Sequence, residues 1–256
     1  MAVAATLLLA PSAQAAEVAT LALVDRSLVG VRDDGSILAD AALIGVTAPF
    51  GRDWRLRIDG FVPADAGRGV PRPLYDVSVR RGAGGDWQKL CETDPEGRTT
   101  AIPVPGYWNP DGTFELIPAA AFSLSCTVTA QAECVRLGYA PWGYAPDGSS
   151  LAPFHRACVH MIRADYCGDG TAEPMAGARV EVFDRAGINR LGDPPFGEPE
   201  ALWGPEGAVC LDRTRRAGSS PAAVRAACPR LAEAPAGSCG ADAFDDTPEA
   251  LVGNRS

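Results

Sequence analysis

The sequence predicts an α+β protein, with a β-rich N-terminal part and a C-terminal part that combines helices, strands and disulfide bonds. Three observations predict this class. Short stretches between residues 17 and 118 alternate apolar and polar side chains, as half-buried strands do. An apolar stripe of helical period follows over residues 150–166. Eight cysteines lie between residues 91 and 239, an even number that suits a disulfide framework.

The N-terminal part has the pattern of several short strands. Residues 54–62 and 75–80 alternate in side-chain polarity, and Phe114 with Leu116 indicates one more strand. The stretches between them are rich in glycine and proline, which favour turns; they are residues 63–73, 82–85 and 103–112. Many short strands joined by such turns predict a small sandwich or barrel-like sheet over residues 17–118.

From residue 119 the pattern changes, and we predict a second region over residues 119–240. Residues 122–126 favour a strand, and residues 129–138 favour a short helix that ends at a glycine. Residues 139–148 form an aromatic loop that is also rich in proline and glycine.

A helix, a turn and a strand are predicted next, over residues 150–183. The apolar stripe of the helix consists of Leu151, Phe154, Cys158, Met161, Ile162 and Tyr166. The Ser150 hydroxyl can cap the helix, and residues 168–170, Gly-Asp-Gly, should end it because glycine tolerates the left-handed conformation. Alternation over residues 178–183 predicts the strand.

The two ends of the chain have their own patterns. Residues 1–16 hold an apolar run, Pro11 and a small-x-small site, which is typical of a secretory signal peptide cleaved after Ala15 or Ala16. No basic residue precedes the run, so a buried N-terminal strand or helix is the alternative. Residues 241–256 are polar, and we predict a flexible tail there.

Charge and cysteine content limit the compartment and the partners. A net charge of −9 argues against nucleic acid, which needs a basic surface, and no segment is apolar for long enough to span a bilayer. Cysteines in even number are typical of secreted or periplasmic proteins. All eight are predicted to form disulfides, with Cys228–Cys239 as the favoured local bond: Cys91, Cys126, Cys134, Cys158, Cys167, Cys210, Cys228 and Cys239.

The candidates for chemistry lie on and just after the central helix. His155 and Cys158 are three residues apart, so they can meet on one helix face as a nucleophile pair or half a zinc site, although a disulfide half is the commoner role of such a cysteine. His160 lies about 140° around the helix from His155, so we do not expect the two to share a site. Asp165 faces the negative end of the helix dipole and needs a compensating partner.

Two kinds of ligand site are considered in addition. Asp165 and Asp169 faintly resemble a calcium loop, but the regular ligand spacing is absent, and we predict neither a metal nor a cofactor. Four aromatic residues are candidates for a groove that binds a glycan or a peptide, with burial in the core as the alternative: Tyr139, Trp142, Tyr144 and Trp203.

Residues 164–167, Ala-Asp-Tyr-Cys, followed by Gly-Asp-Gly, resemble the signature of the bacterial ADYC domain. The likeness extends to residues 134–142, to the His155 and Cys158 pair and to residues 200–210, and it covers about residues 119–240, with weaker likeness before them. The family has no established activity, so the resemblance implies no catalytic residues. We therefore predict a secreted or periplasmic binding or structural module for an extracellular ligand. The alternative is a hydrolase or transferase that uses His155 with Asp165, or a free cysteine.

Overall fold

A computed structural model describes residues 17–64, 71–82, 84–94, 96–171, 178–216, 218–232 and 239–256. The predicted signal peptide, residues 1–16, lies outside the described residues. Strands dominate the N-terminal part, and helices and strands alternate in the C-terminal part, which confirms the predicted α+β class. No helix in the described ranges is long and apolar enough to cross a membrane.

Short antiparallel strands build the N-terminal part. In chain order they are β1 (Thr20–Val24), β2 (Ser27–Val31), β3 (Ile37–Ala39), β4 (Thr47–Phe50), β5 (Trp54–Val62), β6 (Leu74–Arg81), β7 (Gln88–Lys89), β8 (Thr100–Val104), β9 (Gly106–Trp108) and β10 (Phe114–Leu116). A 3-10 turn, Asp40–Leu43, separates β3 from β4. The predicted strands at residues 54–62, 75–80 and 114–116 are confirmed.

Two sheets share the N-terminal core. Strands β1, β2 and β3 form one sheet, and β5 and β6 lie in the middle of a larger one, with Leu56 opposite Val79 and Ile58 opposite Val77. Alternate side chains of β5 point to the same face, so Leu56 and Ile58 are buried while Arg55 and Arg57 lie on the other face. Leu28 of the small sheet packs into the same cluster.

The larger sheet continues beyond the predicted boundary between residues 118 and 119. Strand β11 (Ser123–Cys126) pairs with β8 and forms an edge of the six-stranded sheet, in the order β11-β8-β6-β5-β4 with β7 beside β6. Helix α1 (Ala130–Arg136) follows within the predicted range of residues 129–138, and the Thr129 side chain caps it. Residues from both parts, including Ile102 and Val135, pack in one apolar cluster, so the two parts share a core.

The C-terminal part centres on helix α2 (Ala152–Arg163), which packs on a four-stranded sheet. Its other elements are β12 (Glu181–Asp184), β13 (Pro199–Gly204), β14 (Gly207–Leu211), α3 (Pro221–Ala227), α4 (Pro229–Ala232), α5 (Ala241–Asp245) and β15 (Val252–Arg255). The sheet order is β12-β15-β13-β14. Helix α2 ends at Arg163, before the predicted stop at residues 168–170, because Ala164 already adopts the left-handed conformation with φ of 51°.

The predicted flexible tail at residues 241–256 is wrong. Strand β15 lies in the interior of the C-terminal sheet, between β12 and β13, and Val252 and Asn254 are fully buried. The polar composition misled the prediction because Asn254 is buried by pairing: its side chain accepts a hydrogen bond from Trp203 and donates one to Glu200. Residues 252–254 are thus part of the core.

Candidate functional site

A cleft of about 330 Å³ opens between helix α2 and the turn of the β9–β10 hairpin. The hairpin contributes Trp108 and the turn residues 109–112, and α2 contributes both histidines of the chain. The remaining wall comes from Gln131 and from the turn that follows α2. His155 and His160 therefore border one cleft, against the sequence expectation.

His155 forms the buried floor of the cleft, with 2% of the residue exposed. Its Nδ1 lies 2.8 Å from the carbonyl oxygen of Tyr139, and its Nε2 lies 3.0 Å from the indole Nε1 of Trp108. A carbonyl only accepts and an indole N–H only donates, so the ring is neutral with its proton on Nδ1. Burial lowers the pKa of His155 to about 4, although the hydrogen bond to Tyr139 opposes that shift.

Asp165 pairs with His160, and the predicted pairing of His155 with Asp165 does not occur. The left-handed Ala164 turns the chain back, and Asp165 Oδ2 lies 3.0 Å from His160 Nδ1. The amides of Gly168 and Gly170 also donate to the Asp165 carboxylate, at 3.0 and 3.1 Å. Burial alone would raise the pKa of Asp165, but the hydrogen bonds from His160 and the two amides outweigh it and hold the pKa below its usual value.

Each residue of the turn at 164–168 has a structural role. Ala164 ends the helix and Asp165 collects the hydrogen bonds just described. Cys167 forms a disulfide with Cys228. Gly168 has φ of 71°, and a side chain there would overlap the carbonyl oxygen of Glu206, so this position requires glycine.

Tyr166 connects this turn to a buried polar network. Its hydroxyl donates to Glu200 Oε1 at 3.0 Å and accepts from the amide of Arg215 at 2.8 Å. The Arg215 guanidinium donates to both Glu200 oxygens, at 2.7 and 2.8 Å, and Asn254 donates to Oε2 at 2.7 Å. Trp203 stacks on the Tyr166 ring with 5.2 Å between centroids. This network is satisfied within the protein and is structural.

Every cysteine of the chain is in a disulfide bond, as predicted, but the favoured local pairing is wrong. The bonds are Cys91–Cys126, Cys134–Cys158, Cys167–Cys228 and Cys210–Cys239. Cys228 follows helix α3 and faces the turn after α2, whereas Cys239 faces strand β14, so nearness in sequence did not decide the pairing. With no free thiol, neither the pair of His155 with Cys158 nor any other cysteine can supply a nucleophile.

The four aromatic candidates do not line one groove. Tyr139 and Trp203 are fully buried, which supports the alternative of core residues. Tyr144 is 74% exposed. Trp142 belongs to a row of contacting rings that joins the two parts of the chain. Its centroid lies 4.8 Å from that of Phe114 in a tilted pair, and Phe114 meets Trp108 edge to face with 4.9 Å between centroids.

Sequence reasoning missed the residues that shape the cleft rim. Trp108 gave no signal, because its partner His155 is 47 positions away along the chain. Arg156 and Arg163 also border the cleft; Arg156 pairs with Glu206 at 3.1 Å, and Arg163 donates to the carbonyl of Gly170. The described residues contain no group of three or more His, Cys, Asp or Glu side chains that could hold a metal ion.

Comparison with known families agrees with the motif in this turn. The family model of the ADYC domain matches residues 25–217, which is most of the chain and includes the strands of the N-terminal part. The chain belongs to the ADYC domain family. The residues that name the ADYC motif, 164–167, are those that cap helix α2 and tie it to Glu200 and Cys228. No curated protein and no solved structure matches the chain.

Proposed function

We propose that this ADYC protein is a disulfide-stabilised module outside the cytoplasm that binds a polar ligand in the cleft between α2 and the β9–β10 hairpin. The observation that carries the proposal is the cleft itself, which combines a buried, hydrogen-bonded floor with charged and polar side chains at its rim. Four disulfides are typical of proteins from an oxidising compartment. The ADYC motif supports the cleft without supplying a reacting group.

The rim of the cleft suits a ligand with many hydrogen-bonding groups. Arg156 and Arg163 extend from α2, and Asn109 and Asp111 face them from the hairpin turn. The lining carries two arginines and three aspartates, Asp111, Asp165 and Asp169, so its charges nearly balance, which favours a polar ligand of low net charge, such as a glycan or a peptide.

The cleft suits binding better than catalysis because its histidines have no free nitrogen. His155 is bonded at both ring nitrogens, and His160 contacts Asp165 with one nitrogen and the carbonyl of Pro205, at 3.2 Å, with the other. A general base must reach the proton that it removes, and here both rings are held by the protein. These contacts fix the cleft walls instead.

The cleft is tested by ligand screening with a rim variant. The purified protein is applied to a glycan array and a peptide array, and the affinity for the best ligand is measured by calorimetry. We expect Arg156→Ala with Arg163→Ala to weaken binding by about tenfold or more, since each removes a charged donor. The matched control is Arg52→Ala with Arg190→Ala, two exposed arginines outside the cleft lining. Equal affinity in both double variants would refute the cleft as the binding site.

The compartment is tested separately, by the mass of the mature chain. We propose that residues 1–16 direct export and are removed after Ala15 or Ala16. Expression of the full chain in a bacterium with a periplasm should give a protein in the periplasmic fraction whose intact mass begins at residue 16 or 17. A full-length chain that stays in the cytoplasm would contradict this assignment.

A further inference from the structure

The β9–β10 hairpin is a two-stranded sheet of its own, and it forms one wall of the cleft. Its turn end is held against the rest of the protein by the ring of Phe114, which packs on Trp142, and by Trp108. The indole Nε1 of Trp108 donates to His155 Nε2 at 3.0 Å. Within the described ranges, this is the only hydrogen bond between the hairpin and helix α2. The polar side chains of the turn itself bond to one another.

The hydrogen bond between Trp108 and His155 depends on the protonation state of one ring nitrogen. His155 donates from Nδ1 to the carbonyl oxygen of Tyr139, so its Nε2 is the nitrogen that accepts. A proton added at Nε2 makes that atom a donor, and the indole Nε1 of Trp108 can only donate. Two N–H groups would then face each other across 3.0 Å. Protonation therefore turns the contact that holds the hairpin to α2 into a repulsive one.

The other charged and titratable groups around the cleft do not compensate a charge on His155. On helix α1, which packs against α2, Glu133 pairs with Arg136 at 2.7 Å, and before α2 the Tyr139 hydroxyl donates to Asp184. Burial is the first cause of the low pKa of His155, and the hydrogen bond to Tyr139 is the opposing one. None of the charged groups that line the cleft is among the causes; these groups are Asp111, Arg156, His160, Arg163, Asp165 and Asp169.

We propose that the β9–β10 hairpin is a flap that closes the cleft at neutral pH and opens in acid, because protonation of His155 breaks its hydrogen bond with Trp108. In the open state water solvates the imidazolium, so the pKa of His155 returns towards its ordinary 6.5 from about 4. By linkage, the ratio of open to closed molecules then rises by about 20-fold from pH 7 to pH 5. Control of ligand entry by the flap rests on the proposed function of the cleft, whereas the opening itself does not.

The test is hydrogen exchange of the indole N–H of Trp108, followed by nuclear magnetic resonance in the full chain without ligand. Protection is calculated against the intrinsic exchange rate at each pH. The indole of Trp203, which donates to the buried Asn254 at 2.8 Å, serves as the reference for unfolding of the C-terminal part. We expect Trp108 to be less protected than Trp203, because the flap opens without unfolding. Its protection should fall by about 20-fold from pH 7 to pH 5.

Two histidine variants assign this pH dependence. His155→Gln cannot take up the proton, so the 20-fold fall in the protection of Trp108 should disappear. His160→Gln is the matched control, since His160 lies on the same helix and borders the same cleft but does not contact Trp108. This control should keep the fall. Loss of the fall in His160→Gln and not in His155→Gln would overturn the proposal.

The wild-type protein decides alone if a variant does not fold. Equal protection of the Trp108 and Trp203 indoles would mean that the hairpin opens only when the protein unfolds, and this result overturns the flap. Protection of Trp108 that does not change between pH 7 and pH 5 also overturns it. The proposed ligand site is judged separately. If Trp108 responds as expected but the Arg156→Ala with Arg163→Ala variant binds ligand like its control, the flap stands and the cleft is not the binding site.

Discussion

The two parts of the chain use the same kinds of charged contact in opposite surroundings. In the C-terminal part, Glu200 and Arg215 form a pair with almost no solvent contact. In the N-terminal part, Asp59 accepts from Arg57 and Lys89 on the outer face of the larger sheet, where 44% of the Lys89 side chain is exposed. Solvent screens the ion pairs of Asp59 but not the buried pair of Glu200 with Arg215. Removal of one partner should therefore lower the free energy of unfolding much more in the buried pair.

The difference between buried and exposed ion pairs matches how each part of the chain is held together. The N-terminal part has a continuous antiparallel sheet, and the disulfide Cys91–Cys126 joins it to the edge strand β11. The C-terminal part has shorter elements, three disulfides and the buried network around the ADYC motif. Where backbone pairing is sparse, specific side-chain contacts have to fix the arrangement. Stability of the C-terminal part should therefore depend on single polar residues.

The largest effect is expected for Glu200→Ala. This change leaves the Arg215 guanidinium buried without a counter-charge and removes the acceptor of Tyr166 and Asn254. The free energy of unfolding should fall by about 3–5 kcal/mol, measured by denaturant titration at pH 7.

A double variant sharpens this test. Glu200→Met with Arg215→Leu removes both charges together, so it should be more stable than Glu200→Ala alone. If the single variant costs less than about 1 kcal/mol, the pair behaves as a surface ion pair and the contrast between the two parts is lost.

The next effect is a loss of stability in acid, through His155. Its pKa falls from an ordinary 6.5 to about 4 on folding, so between these values the unfolded chain takes up a proton that the folded protein does not. Stability therefore decreases as the pH falls from 6.5 to 4, by up to about 3 kcal/mol, and this contribution levels off below pH 4. His155→Gln should flatten the dependence of the unfolding free energy on pH in this window. An unchanged slope would show that His155 is not kept neutral by burial.

Asp165→Asn tests the ADYC motif against a matched turn in the N-terminal part. An amide cannot accept all the hydrogen bonds that the buried carboxylate accepts from His160, Gly168 and Gly170, so we expect a loss of about 1–3 kcal/mol. Asp34 accepts from the amide of Ser36 in an exposed turn, and Asp34→Asn should leave stability close to that of the wild type. An equal loss of stability in both variants would contradict the expectation that burial makes the Asp165 hydrogen bonds more important than those of Asp34.

The same carboxylate adds a second acid-sensitive contribution. The folded pKa of Asp165 is lowered from an ordinary 3.8, so its stabilisation is fully present above that value and is lost as the pH falls through the folded pKa. This window lies below that of His155, and the two contributions can be separated in one series of unfolding curves.

The elements that the sequence predicted well are those in which a local pattern decides the structure. Alternation along β5 and the short helix α1 follow from neighbours in the sequence. Composition was misleading at positions where a residue distant in the sequence determines the structure. Asn254 was predicted in a polar tail because its hydrogen-bond partner, Glu200, is near it only in the folded chain. Cys228 was paired with Cys239 because its actual partner, Cys167, is far away in the sequence.

The candidate site was less predictable than the fold for the same reason. The sequence indicated His155 and Asp165 as candidates, and both line the cleft. Helical geometry, however, could not show that Ala164 ends α2 and turns Asp165 back to His160. The hairpin residue Trp108 carries no local mark of its contact with His155.

The smallest effect is expected for Lys89→Gln, on the exposed face of the N-terminal sheet. Lys89 bridges Asp59 and Asp76, but Asp59 keeps its hydrogen bonds from Arg57 and Ser78 when the lysine is lost. We expect a change below about 1 kcal/mol in the free energy of unfolding, because water solvates the remaining carboxylates. The difference from the wild type should disappear in 1 M salt, at roughly a 3 Å screening length. A loss as large as that of Glu200→Ala would mean that these surface ion pairs, and not only the sheet beneath them, hold this part together.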